Sequence, residues 1–201
     1  MHIPWRSTLV GIVLGGLLAG AVVPVAGVAG GQQSSTGPTG EPLQTLLAER
    51  EIRQQIYNYA RGIDRQDREL LAQVFHSDAT VEGTEFKGTA VEWVKSALSP
   101  GPPNHTTSHQ MASSLIKVEG DRASSETYFE AWLHTEPDGN SAITNVVRAR
   151  YGDRWAKRNG RWAMTSRTII RDIRFHMNHT GPNGGKNTRR DQSDPSYKIL
   201  F

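Results

Sequence analysis

Two short stretches of this chain hold the residue types of general acid–base chemistry. In Tyr57-Asn58-Tyr59-Ala60-Arg61-Gly62-Ile63-Asp64 a carboxylate stands where an amphipathic helix runs out, and His105-Thr106-Thr107-Ser108-His109 supplies two imidazoles. A histidine gives and takes protons near neutrality because its unperturbed pKa is about 6.5. Side chains alternate along a strand, so His105, Thr107 and His109 point the same way if this stretch is extended. Asp64 beside His109 would fix the imidazole tautomer and strengthen it as a base. Tyr59, one helical turn before Asp64, would bind or protonate an oxygen. These three suit removal of a proton and expulsion of a leaving group, and Arg150, if turned inward, would hold an anionic leaving group or a substrate carboxylate. Tyr57, His105 and Trp93 complete the set as substrate contacts.

Each of these residues also has a plainer reading. A carboxylate after a helix commonly caps the next one, and either Asp64 or Asp67 fits that role. Two histidines before an apolar strand also make a packed or solvated surface pair. Tyr57, Tyr59 and Trp93 serve equally as core aromatics. On a helix, His105 and His109 would form the i, i+4 pair of a zinc site, but the Pro-rich break before them and the β-branched Thr106-Thr107 argue for a strand. With no HExxH pattern and no cysteine, no metal is expected. The sequence has no Gly-rich phosphate loop, GxSxG elbow or dinucleotide fingerprint, so no cofactor is expected either.

The elements that would position these groups follow from periodicity. Leu43, Leu46 and Leu47 begin an apolar stripe that Ile52, Ile56, Tyr59, Ala60 and Ile63 continue, which predicts a helix over 43–61. Gly62 weakens the helix there and reads as its stop. A second helix is expected over 67–75, a strand over 78–82 and a third helix over 89–98, before Ser99-Pro100-Gly101-Pro102-Pro103 breaks the chain. The period then switches to two, giving strands at 105–118, 123–134, 143–158 and 161–175. The last two are joined by Asn159-Gly160, the strongest hairpin signal in the chain. Helices first and a long antiparallel meander last predict an α+β domain, its helices packed on one face of a curved sheet.

With 201 residues the chain has room for one ordinary domain plus tails. Residues 1–30 pair a short start bearing Arg6 with a run dominated by Leu, Val, Ile, Ala and Gly, and read as a signal peptide cut near Ala29 or Gly30. Left uncut, the same run would be a membrane anchor. Residues 31–41 read as a polar linker, 42–177 as the folded domain and 178–201 as a polar, loosely ordered tail. The protein is therefore expected to be secreted or periplasmic, touching a membrane only through an uncut N-terminal segment. Lys and Arg total 23 against 20 Asp and Glu, a net charge of +3, and apart from Arg189-Arg190 the basic residues are spread. Nucleic acid is not an expected partner. The absence of cysteine excludes disulfides, thiolate chemistry and a lipoprotein anchor.

Residues 48–65 (Ala48 to Arg65), 71–79 (Leu71 to Ala79), Val118-Glu119-Gly120-Asp121-Arg122-Ala123, Arg150-Tyr151 and Asn159-Gly160-Arg161-Trp162, taken in order, resemble the SnoaL-like branch of the nuclear transport factor 2-like superfamily. The resemblance runs over about residues 43–175, and Asp191 to Tyr197 is similar to an ending found in some members. It implies a cone-shaped curved antiparallel sheet, packed with N-terminal helices around an internal pocket. Within the branch the chain is most similar to small cofactor-free lyases: lindane dehydrochlorinase, bile-acid 7α-dehydratase and scytalone dehydratase. The motifs resembling Gly62-Ile63-Asp64 and His105-Thr106-Thr107-Ser108-His109 place that group's Asp–His dyad on Asp64 and His109. A site tyrosine of the bile-acid enzyme falls on Tyr59, and a pocket arginine of the dehydrochlorinase on Arg150. The implied protein is a cofactor-independent lyase of dehydratase type, acting on a small hydrophobic, steroid-like or polycyclic substrate and assembled as a dimer or trimer. Two alternatives stay open: a non-catalytic domain that binds a hydrophobic ligand or a partner, and an isomerase or cyclase using the same dyad.

Overall fold

The computed structural model describes residues 40–99, 101, 105–136, 140–180, 185 and 187–200. The expected signal or anchor and linker residues 31–39 lie outside the described residues. Residues 40 and 41 already belong to α1 (Gly40–Asp64). Burial on this helix starts at Ala48 and continues through Ile52, Ile56, Tyr59, Ala60 and Ile63, the spacing of one helical face. Leu43, Leu46 and Leu47 were expected to open that stripe and instead stand exposed in its first turns.

Gly62 does not stop α1. The helix continues to Asp64 and closes with a Schellman motif, in which the Asp67 N–H bonds the Gly62 carbonyl (2.9 Å) and the Gln66 N–H bonds that of Ile63 (3.3 Å). Gln66 takes the left-handed conformation that this reversal requires, at φ 51°. The glycine at 62 serves packing, because a Cβ there would stand 2.6 Å from Cγ of Leu71. Leu71 lies in α2 (Arg68–Val74) and is fully buried. Asp67 caps α2, accepting from the Leu70 N–H at 3.0 Å, which leaves Asp64 out of the capping role.

The rest of the fold is β1 (Phe75–Glu82), β2 (Lys87–Thr89), α3 (Ala90–Ala97), β3 (Thr106–Glu119), β4 (Arg122–Thr135), β5 (Ser141–Arg158), β6 (Arg161–Thr180) and a short α4 (Tyr197–Leu200). The strand β1 begins at Phe75, which the periodicity had assigned to the second helix. The six strands order as β2-β1-β6-β5-β4-β3. All neighbours pair antiparallel except β1 and β6, which run parallel. Register shifts in β1–β6, β3–β4 and β5–β6 interrupt the ladders at points that let long strands bend, giving the curved α+β cone. Asn159-Gly160 makes the β5–β6 hairpin with both residues at positive φ (53° and 77°), the conformation of a type I′ turn. A reciprocal capping box between Thr89 and Glu92 starts α3. Ile52, Ile56 and Tyr59 of α1 meet Leu71 and Val74 of α2 and the sheet's Phe129, Tyr151, Trp155, Trp162 and Met164 in one core.

The tail departs from expectation. The strand β6 runs on to Thr180, and residues 187–200 fold back on α1 through specific polar contacts, burying Asp194 to 5% exposure. A polar composition reads the same whether such groups meet water or each other.

Replacing Gly62 by alanine tests the α1–α2 contact. A helix-interior Gly→Ala gains about 1 kcal/mol of propensity, whereas overpacking a filled site costs about 1–3 kcal/mol. Because Leu71 is buried and cannot swing away, Gly62→Ala is expected to lower the unfolding midpoint in a thermal or urea melt. A midpoint that is unchanged or higher would show that Leu71 yields.

Candidate active site

The last residue of α1 meets the beginning of β3. Thr107 and His109 share one face of the strand, and both reach the Asp64 carboxylate. The Thr107 hydroxyl donates to Oδ1 at 2.8 Å, the His109 backbone N–H donates to Oδ2 at 2.8 Å, and Nδ1 of His109 lies 2.7 Å from Oδ1. Since a carboxylate only accepts, Nδ1 carries the proton in this contact and Nε2 of the neutral ring holds the lone pair. Nε2 makes no hydrogen bond with the described residues. The side chains of His109 and Asp64 are 11% and 12% exposed, sheltered but reachable. Burial pushes the Asp64 carboxyl up, but the His109 side chain, its charge, its backbone N–H and Thr107 together hold it below the ordinary aspartate value. The group that orients His109 is therefore ionised at neutral pH.

The His109 ring lies at 22° to that of Phe129, with centroids 6.3 Å apart, and Phe129 stacks on Tyr151 at 3.8 Å. Tyr151 in turn meets Tyr59 edge to face at 5.6 Å. The Tyr59 hydroxyl accepts from Nε1 of Trp93 at 3.1 Å, which ties α3 to α1. Tyr59 and Trp93 thus reach the dyad only through this aromatic stack, with Tyr59 fully buried and Trp93 half-buried against Phe86.

Three expected site residues are elsewhere. Tyr57 is 47% exposed, because it lies off the buried face that Ile56 and Tyr59 occupy. His105 precedes β3, and its Nδ1 turns toward the end of β4, to the His134 carbonyl (3.0 Å) and the Thr135 hydroxyl (3.3 Å). Arg150 points away from the core, pairing with Asp172 (3.0 Å) and Glu126 (3.4 Å). The cause is strand alternation: its neighbours Ala149 and Tyr151 are buried, which turns Arg150 to the opposite face. Ala142, Thr144 and Val146 are buried in the first part of β5 and Ala149, Tyr151, Asp153 and Trp155 in the second, so the covered face changes between them while the β4–β5 register runs on unbroken.

The arginine turned inward is Arg167 of β6. Its guanidinium makes a bidentate pair with Asp153 (2.8 Å for each bond), both side chains being wholly buried, and lies 3.7 Å from the Tyr151 ring centre and 4.0 Å from that of Tyr59. Burial works against the Arg167 charge, and Asp153 more than offsets it. Burial foremost, then Tyr59, raises the Tyr151 hydroxyl well above its ordinary value against the opposing charge of Arg167. Neither Arg167, Asp153 nor Thr107 had been assigned a role. Thr107 was signalled by sharing strand parity with His109; the ion pair was not signalled, because counting out from Asn159-Gly160 sets Asp153 opposite Ser166, and the register shift between Arg154 and Trp155 brings Arg167 there instead. Among the described residues no three His, Asp or Glu side chains converge as metal ligands.

Residues 44–168 match the family model of the SnoaL-like domain. No curated protein matches the chain. Among solved structures, a type 2 hexachlorocyclohexane dehydrochlorinase (LinA) superimposes with a TM-score of 0.61 at 17% identity, covering 72% of this chain and 99% of that one. A protein from Novosphingobium aromaticivorans described as a candidate scytalone dehydratase gives 0.57 at 18% identity, covering 74% and 99%. Kfla4162 from Kribbella flavida gives 0.55 at 14%, covering 65% and 95%. At these identities the likeness is one of fold.

The three hydrogen bonds on Asp64 give a pH-resolved prediction. A carboxyl with a lowered folded pKa adds stability above its unfolded pKa, near 3.8, and loses it as pH falls through the folded value. Asp64→Asn keeps the shape but turns part of the acceptor set into donors, at about 1.5–3 kcal/mol for bonds to a charged group. Urea melts should show the variant less stable at pH 7, with the gap closing as pH falls below the ordinary aspartate range. A gap that does not depend on pH would mean that the ionised carboxylate is not what the bonds stabilise.

Proposed function

Because this chain belongs to the SnoaL-like family, whose fold it shares with a dehydrochlorinase, we propose that Asp64 and His109 are the reacting dyad of a cofactor-independent lyase, dehydratase-like in reaction, that acts on a small hydrophobic substrate. The observation that carries this reading is the 2.7 Å contact between Asp64 and Nδ1 of His109, which leaves Nε2 without a hydrogen bond among the described residues and the ring beside Phe129. A surface histidine pair would need neither a buried carboxylate nor a fixed tautomer.

In this reading Nε2 removes a proton from a carbon next to the one that bears the leaving group. The C–H electrons become the new C=C bond as the C–O bond breaks. The imidazolium that forms is balanced by the Asp64 carboxylate, held in place by Thr107 and the His109 backbone, and its proton passes to the departing hydroxyl as water. One histidine can serve both halves when the two groups leave from the same side. Phe129 packs against the imidazole and supplies an apolar contact surface for the substrate. Tyr59 supports the stack, and Arg150 takes no part. As further parts of the same proposal, residues 1–30 direct the chain to secretion or to the periplasm, and the outer sheet face pairs copies of it.

The test is a panel of hydrophobic alcohols, hydroxysteroids among them, and of halogenated rings, followed by mass spectrometry for loss of water or hydrogen halide. Turnover is expected to fall by about 10²–10⁴-fold in His109→Ala and in Asp64→Ala, while Arg150→Ala stays within a few-fold of wild type. A product of unchanged mass would indicate an isomerase built on the same dyad. Binding without any conversion, unaffected by His109→Ala, would leave a ligand-binding domain.

A further inference from the structure

The end of the chain is fastened to the residues that bracket Asp64. Nη1 of Arg61 donates to the Ser196 hydroxyl at 3.1 Å, and the Arg61 guanidinium covers the Tyr197 ring at 4.3 Å. Nε of Arg65 pairs with Asp194 at 3.3 Å. The Tyr197 hydroxyl donates to Oδ2 of Asp67 at 2.6 Å, the same carboxylate whose other oxygen caps α2. Nη2 of Arg190 donates to the Ile63 carbonyl at 3.4 Å, one peptide away from Asp64. The segment touches residues 61, 63, 65 and 67, which span the last turn of α1 and the corner into α2.

The segment is itself rigidly built. Asp194, nearly buried, accepts from the Arg189 N–H (3.0 Å), the Ser196 N–H (3.0 Å) and the Ser196 hydroxyl (2.5 Å). Those bonds, led by Ser196, hold its carboxyl well below the usual range, so it keeps its charge for Arg65. The contacts are also those that a helix end calls for. The final carbonyls of a helix lack intrahelical partners and carry partial negative charge, so a cation seated there is favourable. Arg190 adds a charged donor to the Ile63 carbonyl, which already accepts from the Gln66 N–H, and the Asp64 charge favours the Arg190 cation there.

We propose that residues 189–197 form a positioning strap for the candidate base. Arg190, Asp194 and Tyr197 are positioning residues that hold the last turn of α1, and through it Asp64, in place against Thr107 and His109. The strap carries no reacting group. Its effect on catalysis comes through geometry, since a misplacement of about 1 Å can cost on the order of 10²-fold in rate. The inference rests on the reading of Asp64 and His109 as the reacting dyad.

The test compares the full chain with Tyr197→Phe, Asp194→Asn, Arg190→Ala, Arg190→Lys and a chain ended after Gly185. The first readout is the downfield proton resonance of Nδ1–H in His109, assigned by its loss in His109→Ala. The second is the division of effect between kcat and KM on a substrate that the wild type turns over. The strap predicts that the shortened chain and Asp194→Asn still unfold cooperatively, yet broaden or shift that resonance and lower kcat about 10- to 100-fold with little change in KM. Arg190→Lys should recover most of what Arg190→Ala loses. An unchanged resonance and kcat in Tyr197→Phe, Asp194→Asn and Arg190→Ala overturns the strap, even if the shortened chain fails to fold. A wild type with neither the resonance nor turnover overturns the dyad, and the strap with it. A wild type with both, matched by every variant, overturns the strap alone.

Discussion

The Asp64 carboxylate is the point on which this structure turns. It ends the long helix and accepts three hydrogen bonds from the start of β3, so one side chain joins the helical layer to the edge of the sheet order. A buried carboxylate without partners would be costly, and one hydrogen-bonded to a strand backbone becomes a structural joint as well as a chemical group. The surrounding sequence serves that joint. Gly62 lets α2 come close, Gln66 reverses the chain immediately after the helix, and Asp67 takes the capping role that would otherwise occupy Asp64.

Behind the dyad the interior joins stacked aromatic rings to a buried ion pair. His109, Phe129, Tyr151 and Tyr59 form a continuous series of ring contacts, and Arg167 lies against the two tyrosines with its charge met by Asp153. Breaking one partner of such a buried pair leaves an uncompensated charge, so the pair fixes the rings in one arrangement whatever its net contribution to stability. The rings hold the imidazole plane while Asp64 fixes its tautomer. Orientation and protonation state thus come from different parts of the fold.

How much of this could be read from residues alone depended on how local the cause was. The helices, the Asn159-Gly160 hairpin and the common face of Thr107 and His109 follow from period and turn chemistry within a few residues, and all three were legible. Asp64 was legible as the residue where a helix ends, although only the structure decides between it and Asp67 as the cap. Arg150 was misplaced because the covered face of β5 changes partway along the strand, and nothing in Arg148-Ala149-Arg150 announces it. The three residues of β2 are too few for a pattern. The C-terminal segment was misread because its serines, aspartates and arginines are typical of solvated tails, and their pairing with residues 61–67 is set by tertiary approach.

Asp64 and Asp153 are both nearly buried carboxylates within 2.8 Å of a cationic or basic partner, and the physical difference between them decides where chemistry can occur. Asp153 meets Arg167 in a fork with both side chains fully enclosed. An arginine does not release its proton in a protein, and an enclosed pair offers no atom to a substrate. Asp64 meets a histidine whose proton can move and whose second nitrogen bonds none of the described residues, with about a tenth of each side chain open to approach. Similar distances and burial thus produce a structural clamp in one place and a candidate base in the other. What separates them is the partner's acidity and a modest opening, and both belong to Asp64 and His109.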